Sequence, residues 1–340
     1  MSVVFAAAGP VTVTLLGVAR EGQAVTAGQV LLWVAVPYAA LAIFLAGFCY
    51  RVALWALSPV PFRIPTTCGQ QKSLPWIRPA SLENPSTGMG AVARMALEIL
   101  LFRSLFRNNR AELHDGQYVF GESKLLWLGA LAFHWALLVI VLRHLRLVAQ
   151  PVPAFVTVLA GWDSFFQIGT PALYVSDVVL VCAGLYLLLR RWQDPLVRYF
   201  SQLADYFVLL LVLGIAGSGI LMRYSMRVDL VNVKRLALGL ATFHPVIPAG
   251  LSVVFLIHLM LVCTLAVYFP FSKLMHMGGV FLSPTRNLAN NNRMKRHINP
   301  WNYPVKTHTY AEWEDEFREK IKAAGIPLDE AESGGTSSTD

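Results

Sequence analysis

Four of the eight histidines lie in two strongly apolar stretches, at spacings that suit metal ligation. His134 and His144 stand ten residues apart in LLWLGALAFHWALLVIVLRHLRLV, and His258 and His276 stand eighteen apart in LSVVFLIHLMLVCTLAVYFPFSKLMH. Ionisable side chains at bilayer depth are costly, so they face a bundle interior and carry a function. A lone histidine of this kind reads as a structural side chain; two pairs on two helices read as axial ligands. Neutral imidazole suits haem iron, and ligation by two histidines leaves no open position for oxygen or substrate. The chemistry implied is electron transfer through two noncovalently held b-type haems. The four cysteines, Cys49, Cys68, Cys182 and Cys263, form no CxxC or CxxCH, so neither an iron–sulfur site nor covalent haem attachment is encoded.

Helix geometry constrains how the ligands pair. Ten residues rise about 15 Å, and eighteen rise about 27 Å over five whole turns, which puts His258 and His276 on one face of a straight helix. The two depths differ too much for tilt to reconcile, and Pro270, between His258 and His276, offers a kink. Small residues that would admit a macrocycle are Gly129 beside His134, and Gly214, Gly217, Ser218 and Gly219 on another apolar stretch; close helix packing explains them equally. Arg143, Arg146, Arg223 and Lys273 are placed to meet haem propionates, or to snorkel from span ends. Asp177 reads as a helix cap, with a proton acceptor at a quinol site as the alternative.

The elements that must position these residues are membrane spans. Of 340 residues, 56% are hydrophobic and 14% charged, with mean hydropathy +0.53, against about 25% charged in a soluble domain. Five stretches approach the roughly 20 apolar residues of a span: 30–50, 125–147, 172–189, 204–222 and 247–270. Residues 3–19 are a weak sixth, with Pro10 inside. The net charge of +8 is topological information rather than a nucleic-acid footprint, because Lys and Arg concentrate in 58–124, 190–203 and the tail from 271. The positive-inside bias puts those segments in the cytoplasm. The His134 helix then runs outward and the His258 helix inward, so His144 pairs with His258 on the outer side and His134 with His276 on the inner side.

The expected class is therefore an all-α integral membrane protein with five main transmembrane helices, a possible sixth, and a cytoplasmic loop and tail. Residues 1–29 form an outer or membrane segment, 30–57 the first main span, and 58–122 a Pro-rich and amphipathic loop. Residues 123–280 form a four-helix haem-binding bundle and 281–340 a partner-binding tail. In the loop, Leu97, Leu100, Leu101 and Leu105 oppose Arg94, Arg103, Arg107 and Arg110, a basic amphipathic helix suited to the headgroup surface or to the underside of a partner. In the tail, Trp313, Phe317 and Ile321 at i, i+4, i+8 mark a helix over 310–323 closed by Gly325 and Pro327, and the last ten residues read as disordered. His114, His244, His297 and His308 fall in polar segments and carry no assignment.

The 10-and-18 histidine pattern resembles the gamma (cytochrome b) subunit family of respiratory nitrate reductases, over roughly residues 30–280. The segments FSKLMHMGGVFLSPTRNLANNNR and RHINPWNYP resemble more specifically DsrM, the haem b membrane subunit family of the DsrMKJOP complex. The resemblance implies a diheme bundle carrying two haem b, with His134, His144, His258 and His276 as iron ligands and no catalytic residue on this chain. It implies a multi-pass subunit of the cytoplasmic (inner) membrane that passes electrons from menaquinol to a cytoplasmic iron–sulfur partner resembling DsrK, beside the other subunits of such a complex, in dissimilatory sulfur metabolism. The quinone-site lysine that nitrate reductase relatives place after the second span has no counterpart, since residues 149–171 hold no Lys or Arg. Two other readings remain at this point. One is a haem b subunit of a nitrate or heterodisulfide reductase; the other is a haem-free anchor or transporter-like subunit whose histidines pack or relay protons.

Overall fold

Long apolar runs become helices in lipid because, without water, a backbone must satisfy its own N–H and C=O groups. A computed structural model describes residues 11–13, 19–21, 26–58, 69–107, 110–167, 169–294 and 307–329 of the chain. Strands β1 (Val11–Val13) and β2 (Ala19–Glu21) pair antiparallel with Val11 opposite Glu21, so the described part of the possible sixth span is a hairpin and not a helix. Cys68, His297, the RHINPWNYP segment and the last residues of the tail lie outside the described residues.

The first span, α1 (Ala27–Leu57), starts from a capping box between Thr26 and Gln29 and takes the π form over Leu31–Ala35. The loop that follows contains α2 (Gly88–Leu101), a reversal at Phe102 with φ 50°, α3 (Arg103–Phe106), and a hairpin of β3 (Arg110–His114) with β4 (Gln117–Gly121). Then come α4 (Lys124–Val148), α5 (Ala154–Asp163), α6 (Val175–Gln193), α7 (Pro195–Phe200), α8 (Leu203–Ser225), α9 (Leu230–Ala241), α10 (Val253–Phe271) and α11 (His276–Gly279). Helices α1, α4, α8 and α10 are long and apolar enough to cross a membrane. The remaining expected span, α6, has 19 residues but carries Asp177 near its start and Arg190 and Arg191 near its end.

Packing runs α4 on α6, α6 on α8, α8 on α10 and α10 on α1. One buried cluster joins Phe133 and Ala136 of α4 to Leu180 and Ala183 of α6 and Val212 of α8; a second joins Trp33 and Val34 of α1 to Val233 and Leu236 of α9 and Phe255 of α10. The α4–α6 contact is close enough to require a glycine: a Cβ on Gly129 would stand 2.5 Å from the Tyr186 ring. Gly129 is thus a packing residue and makes no room for a macrocycle. Outward, α4 exposes Leu125, Leu128, Leu138 and Val141, the apolar exterior that lipid tails solvate.

In the loop, the face expected to be cationic is turned into the protein. Helix α2 buries Ala91, Arg94 and Glu98 and exposes Met89, Val92, Ile99 and Leu100. The Arg94 guanidinium donates to the Thr285 carbonyl (3.1 Å), and Arg103 and Arg107 both reach Glu83 Oε1 at 2.8 Å. Partial burial pushes the Glu83 carboxyl up, but the two guanidiniums more than offset it and hold it below the ordinary range. The stretch after Met277 also packs into the protein. Asn290 is fully buried, donates through Nδ2 to Asn84 Oδ1 (2.8 Å), and donates its backbone N–H to the Pro85 carbonyl (2.6 Å). The SPTRNLAN stretch thereby ties the loop down at both Arg94 and Asn84.

Residues 292–340 form a separate unit, described at 292–294 and 307–329, whose one described helix is α12 (Tyr310–Ala323). A Thr309–Glu312 capping box starts the helix, Ile321 is buried, and Gly325 at φ 66° ends it, as the sequence pattern predicts. Buried Glu314 accepts the Asp329 backbone N–H at 2.6 Å, which folds the segment after Gly325 back onto the helix.

Candidate haem-binding site

Two imidazole pairs meet between α4 and the end of the bundle formed by α10 and α11. The His144 and His258 rings lie 6.5 Å apart, centroid to centroid, with planes 11° from parallel. The His134 and His276 rings lie 5.9 Å apart, with planes 82° apart. Metal–imidazole bonds of about 2 Å on opposite sides of one metal put ring centroids roughly 6 Å apart. Both pairs therefore have the span that a six-coordinate iron needs.

The second test is which nitrogen is free. His134 Nδ1 donates to the Ala130 carbonyl, His144 Nδ1 to the Ile140 carbonyl and His276 Nδ1 to the Lys273 carbonyl, each at 2.7 Å. His258 Nδ1 lies 2.9 Å from Ser218 Oγ. The Ser218 hydroxyl donates within its own helix to Gly214 O or Ile215 O, so its oxygen accepts from His258. Every Nδ1 is occupied, which fixes the tautomer and leaves Nε2 with its lone pair outward. This is the arrangement found behind metal-bound histidines. Ser218→Ala is expected to weaken metal retention at the His144–His258 pair by about 10–100-fold, measured as haem loss to a scavenging apoprotein, with the other pair unaffected.

Space is consistent with the donor set. The most extensive contacts of α4 are with α6 and α9, and those of α10 are with α1 and α8. A Cβ on Gly219 would stand 3.4 Å from His258 Cε1, one on Gly214 3.8 Å from Leu261, and one on Gly217 would meet nothing within 4 Å. The small residues of α8 thus flank the His258 ring without filling the space beside it. Among the described residues no three His, Cys, Asp or Glu side chains gather as a mononuclear site, so the donor chemistry is that of two facing pairs. The residues fit a haem held between each pair.

The reach of His276 corrects one expectation. It does not continue the His258 helix for five turns on one face. Buried Pro270 lies in the 3-10 turn Phe269–Phe271 that closes α10, Ser272 is extended (φ −122°, ψ 178°), and a second 3-10 turn over Lys273–Met275 leads into α11. Proline removes a backbone donor, and an extended residue cannot propagate a helix. The bend absorbs the excess length, and His276 arrives opposite His134. Phe102 stands edge-on to the His134 ring at 5.0 Å, a contact with no advance signal beyond the aromatic residue itself.

The basic residues considered for propionates all have protein partners. Arg143, buried one residue before His144, pairs with Asp163 Oδ2 (2.9 Å) and Asp177 Oδ1 (2.6 Å). It also donates to Ser176 Oγ (3.0 Å) and lies 3.6 Å over the Tyr174 ring. Asp163 accepts from Ser176 N and Oγ, and Asp177 accepts from the Tyr224 hydroxyl (2.9 Å). Asp177 therefore caps nothing; the α6 N-cap is Tyr174, without a side-chain bond. Arg223 stacks on Tyr174 and donates to the Ala172 carbonyl, Arg146 reaches the Tyr174 hydroxyl, and Lys273 pairs with Asp205. Asp163, Ser176 and Tyr224 were not legible as site residues. Asp163 closes a short apolar helix, and its partner lies on another element.

The chain matches the family model described as nitrate reductase gamma subunit over residues 91–296. It is 44% identical over 279 residues to the Hdr-like menaquinol oxidoreductase cytochrome b-like subunit of Archaeoglobus fulgidus, covering 80% of this chain and 83% of that one. It is 43% identical over 275 residues to the protein of the same description in Archaeoglobus profundus, covering 78% and 81%.

Proposed function

The chain belongs to the nitrate reductase gamma subunit family, a family of multi-pass membrane proteins, and from that premise we propose that it is the cytochrome b subunit of a menaquinol-oxidising complex. The reading gives it two haem b, one held by His144 and His258 near the outer face, one by His134 and His276 near the inner face. The observation that carries it is the pair of facing imidazoles at 6.5 and 5.9 Å with all four Nδ1 atoms engaged elsewhere. Haem bound there supplies reversible one-electron transfer without a position for substrate.

The residues around each pair fit those roles. Helices α4, α10 and α11 orient the imidazoles and fix their tautomers through the carbonyls of Ala130, Ile140 and Lys273 and through Ser218. At the His144 end, a cavity of about 420 Å³ offers Arg146, Thr157, Ser164 and Tyr174 to a quinol oxygen. The loop offers one surface to a cytoplasmic partner, and the separate unit carrying the exposed Tyr310 and Trp313 of α12 offers another. The relatives' name, a cytochrome b-like subunit of an Hdr-like menaquinol oxidoreductase, supports a place among other subunits. The 271–293 motif is what favours an iron–sulfur partner of the DsrK type, in a DsrMKJOP-like assembly of the inner membrane serving dissimilatory sulfur metabolism.

Purified complex is expected to contain two b haems per chain by reduced-minus-oxidised spectroscopy and to be reduced by a menaquinol analogue. Absence of b-type bands would overturn the reading. The ring angles add an independent check. Parallel imidazole planes split the iron dπ orbitals, whereas perpendicular planes leave them nearly degenerate. The oxidised protein is therefore expected to give two low-spin EPR signals, the more anisotropic one belonging to the pair at 82°.

A further inference from the structure

We propose that α2 and the Phe102 reversal form a re-entrant element, inserted beneath the headgroups beside the inner histidine pair, with its exposed apolar face on lipid acyl chains. Three observations carry this.

The first is the inverted polarity of the helix. Its buried stripe is Ala91, Arg94 and Glu98, while Met89 (79% exposed), Val92 (61%), Ile99 and Leu100 (48%) face outward. A helix at a water interface turns its charges to the solvent. This one turns them inward and bonds each, Arg94 to the Thr285 carbonyl and Glu98 to Ser104. The outward face is continuous in character with the exposed Leu125, Leu128 and Leu138 of the spanning helix α4.

The second observation is where the C-terminal end of α2 sits. Its last carbonyls would normally seek water or a cap. Here the Leu101 carbonyl accepts from the Trp127 indole (2.7 Å) and the Leu100 carbonyl from the Trp135 indole (3.0 Å). By helix rise, Trp127 lies about 5 Å and Trp135 about 16 Å from Lys124, the start of the span. The reversal is held between those levels, inside the length of a helix that crosses the membrane. Non-helical backbone at such depth is tolerated where protein groups satisfy it, and two indole N–H groups do so here.

The third observation is the tip. Phe102 packs edge-on against His134, and Phe106 packs on Trp127 at 4.8 Å. The cations that follow are paired, Arg103 and Arg107 on Glu83. Arg107 is half exposed and marks the return of the chain toward the headgroups. A partner protein could cover the same apolar face. Lipid is favoured because that face adjoins the lipid-exposed wall of α4 and because the carbonyls at its end are already satisfied within the chain.

The test is depth measurement by spin-label EPR on the full chain in vesicles of phosphatidylethanolamine and phosphatidylglycerol, in a background with Cys49, Cys68, Cys182 and Cys263 replaced. Labels at Val92, Ala96 and Leu100 are expected to be relaxed by oxygen and protected from a water-soluble nickel chelate. Protection should deepen from 92 to 100 and match a label at Leu128. A label at Gly116, in the turn between β3 and β4, is expected to be open to the chelate. Chelate access at Ala96 and Leu100 equal to that at Gly116 would overturn the proposal. So would a label accessible to neither reagent in the intact complex that gains oxygen access when soluble partners are stripped. Neither readout depends on bound haem, so failure here is distinguishable from failure of the cytochrome reading.

Discussion

Replacing His144 and His258 together by alanine is expected to halve the haem content of the purified chain while the protein stays folded. The two rings face each other across a gap that one iron would fill, and neither is needed for packing of the buried clusters, which draw on Phe133, Ala136, Leu180 and Phe255. With both imidazoles gone, the outer site has no axial donor at all, so the loss is of a whole cofactor rather than a shift in its affinity. The α-band amplitude should fall by about half, and menaquinol-driven reduction of the remainder should fail, because quinol meets the outer end first in this reading. The mirror variant, His134→Ala with His276→Ala, should lose the other half and remain reducible by quinol. Retention of both haems in either variant would falsify the ligand assignment.

A second large effect is expected at Arg143. Its guanidinium is almost fully buried and is shared by two carboxylates, Asp163 and Asp177, which are themselves 5% and 13% exposed. Removing one partner from a buried ion pair leaves uncompensated charge and costs about 3–5 kcal/mol. Arg143→Ala is therefore expected to lower the thermal midpoint in detergent markedly, and to release α5 and the start of α6 from α4, which Arg143 alone bridges to both acids. Combining Arg143→Met with Asp163→Asn and Asp177→Asn should recover much of the loss, since the stranded charges are then gone. The control is Arg227→Ala, an exposed arginine whose guanidinium meets the Thr170 carbonyl. Equal effects at Arg143 and Arg227 would show that the buried network contributes nothing special. Arg143 is a positioning residue here, holding the helix end that presents His144.

The sequence made the helices and the histidines legible because both signals are local. Twenty apolar residues announce a span, and an imidazole within one announces a cost that something must offset. The approach of His144 to His258 and of His134 to His276 was legible too, since the relative direction of two helices decides which histidines share a level. What was not legible depends on where chains meet. Arg94 and Arg103 look like a cationic surface in a helical projection, yet Thr285 and Glu83 draw them inward. Asp177 looks like a cap until Arg143 and Tyr224 claim it. Gly129 looks like space for a cofactor until Tyr186 occupies it. Single-sequence periodicity says how a helix is striped, and tertiary contacts say which stripe faces which neighbour.

The bend at Pro270 has a consequence for biogenesis. His134 and His144 emerge from the ribosome together on α4, but each faces a ring that belongs to α10 or α11, the last elements of the bundle to be made. Neither cofactor slot exists while α4, α6 and α8 alone are in the bilayer. His276 is not delivered until the chain has turned at Ser272, after the final span is seated. On the proposed ligand assignment, neither site would be complete before α10 and α11 are made. A chain truncated before Pro270 should insert and still retain at most the haem of the pair completed by His258, so occupancy of the His276 site would report that synthesis has passed the bend.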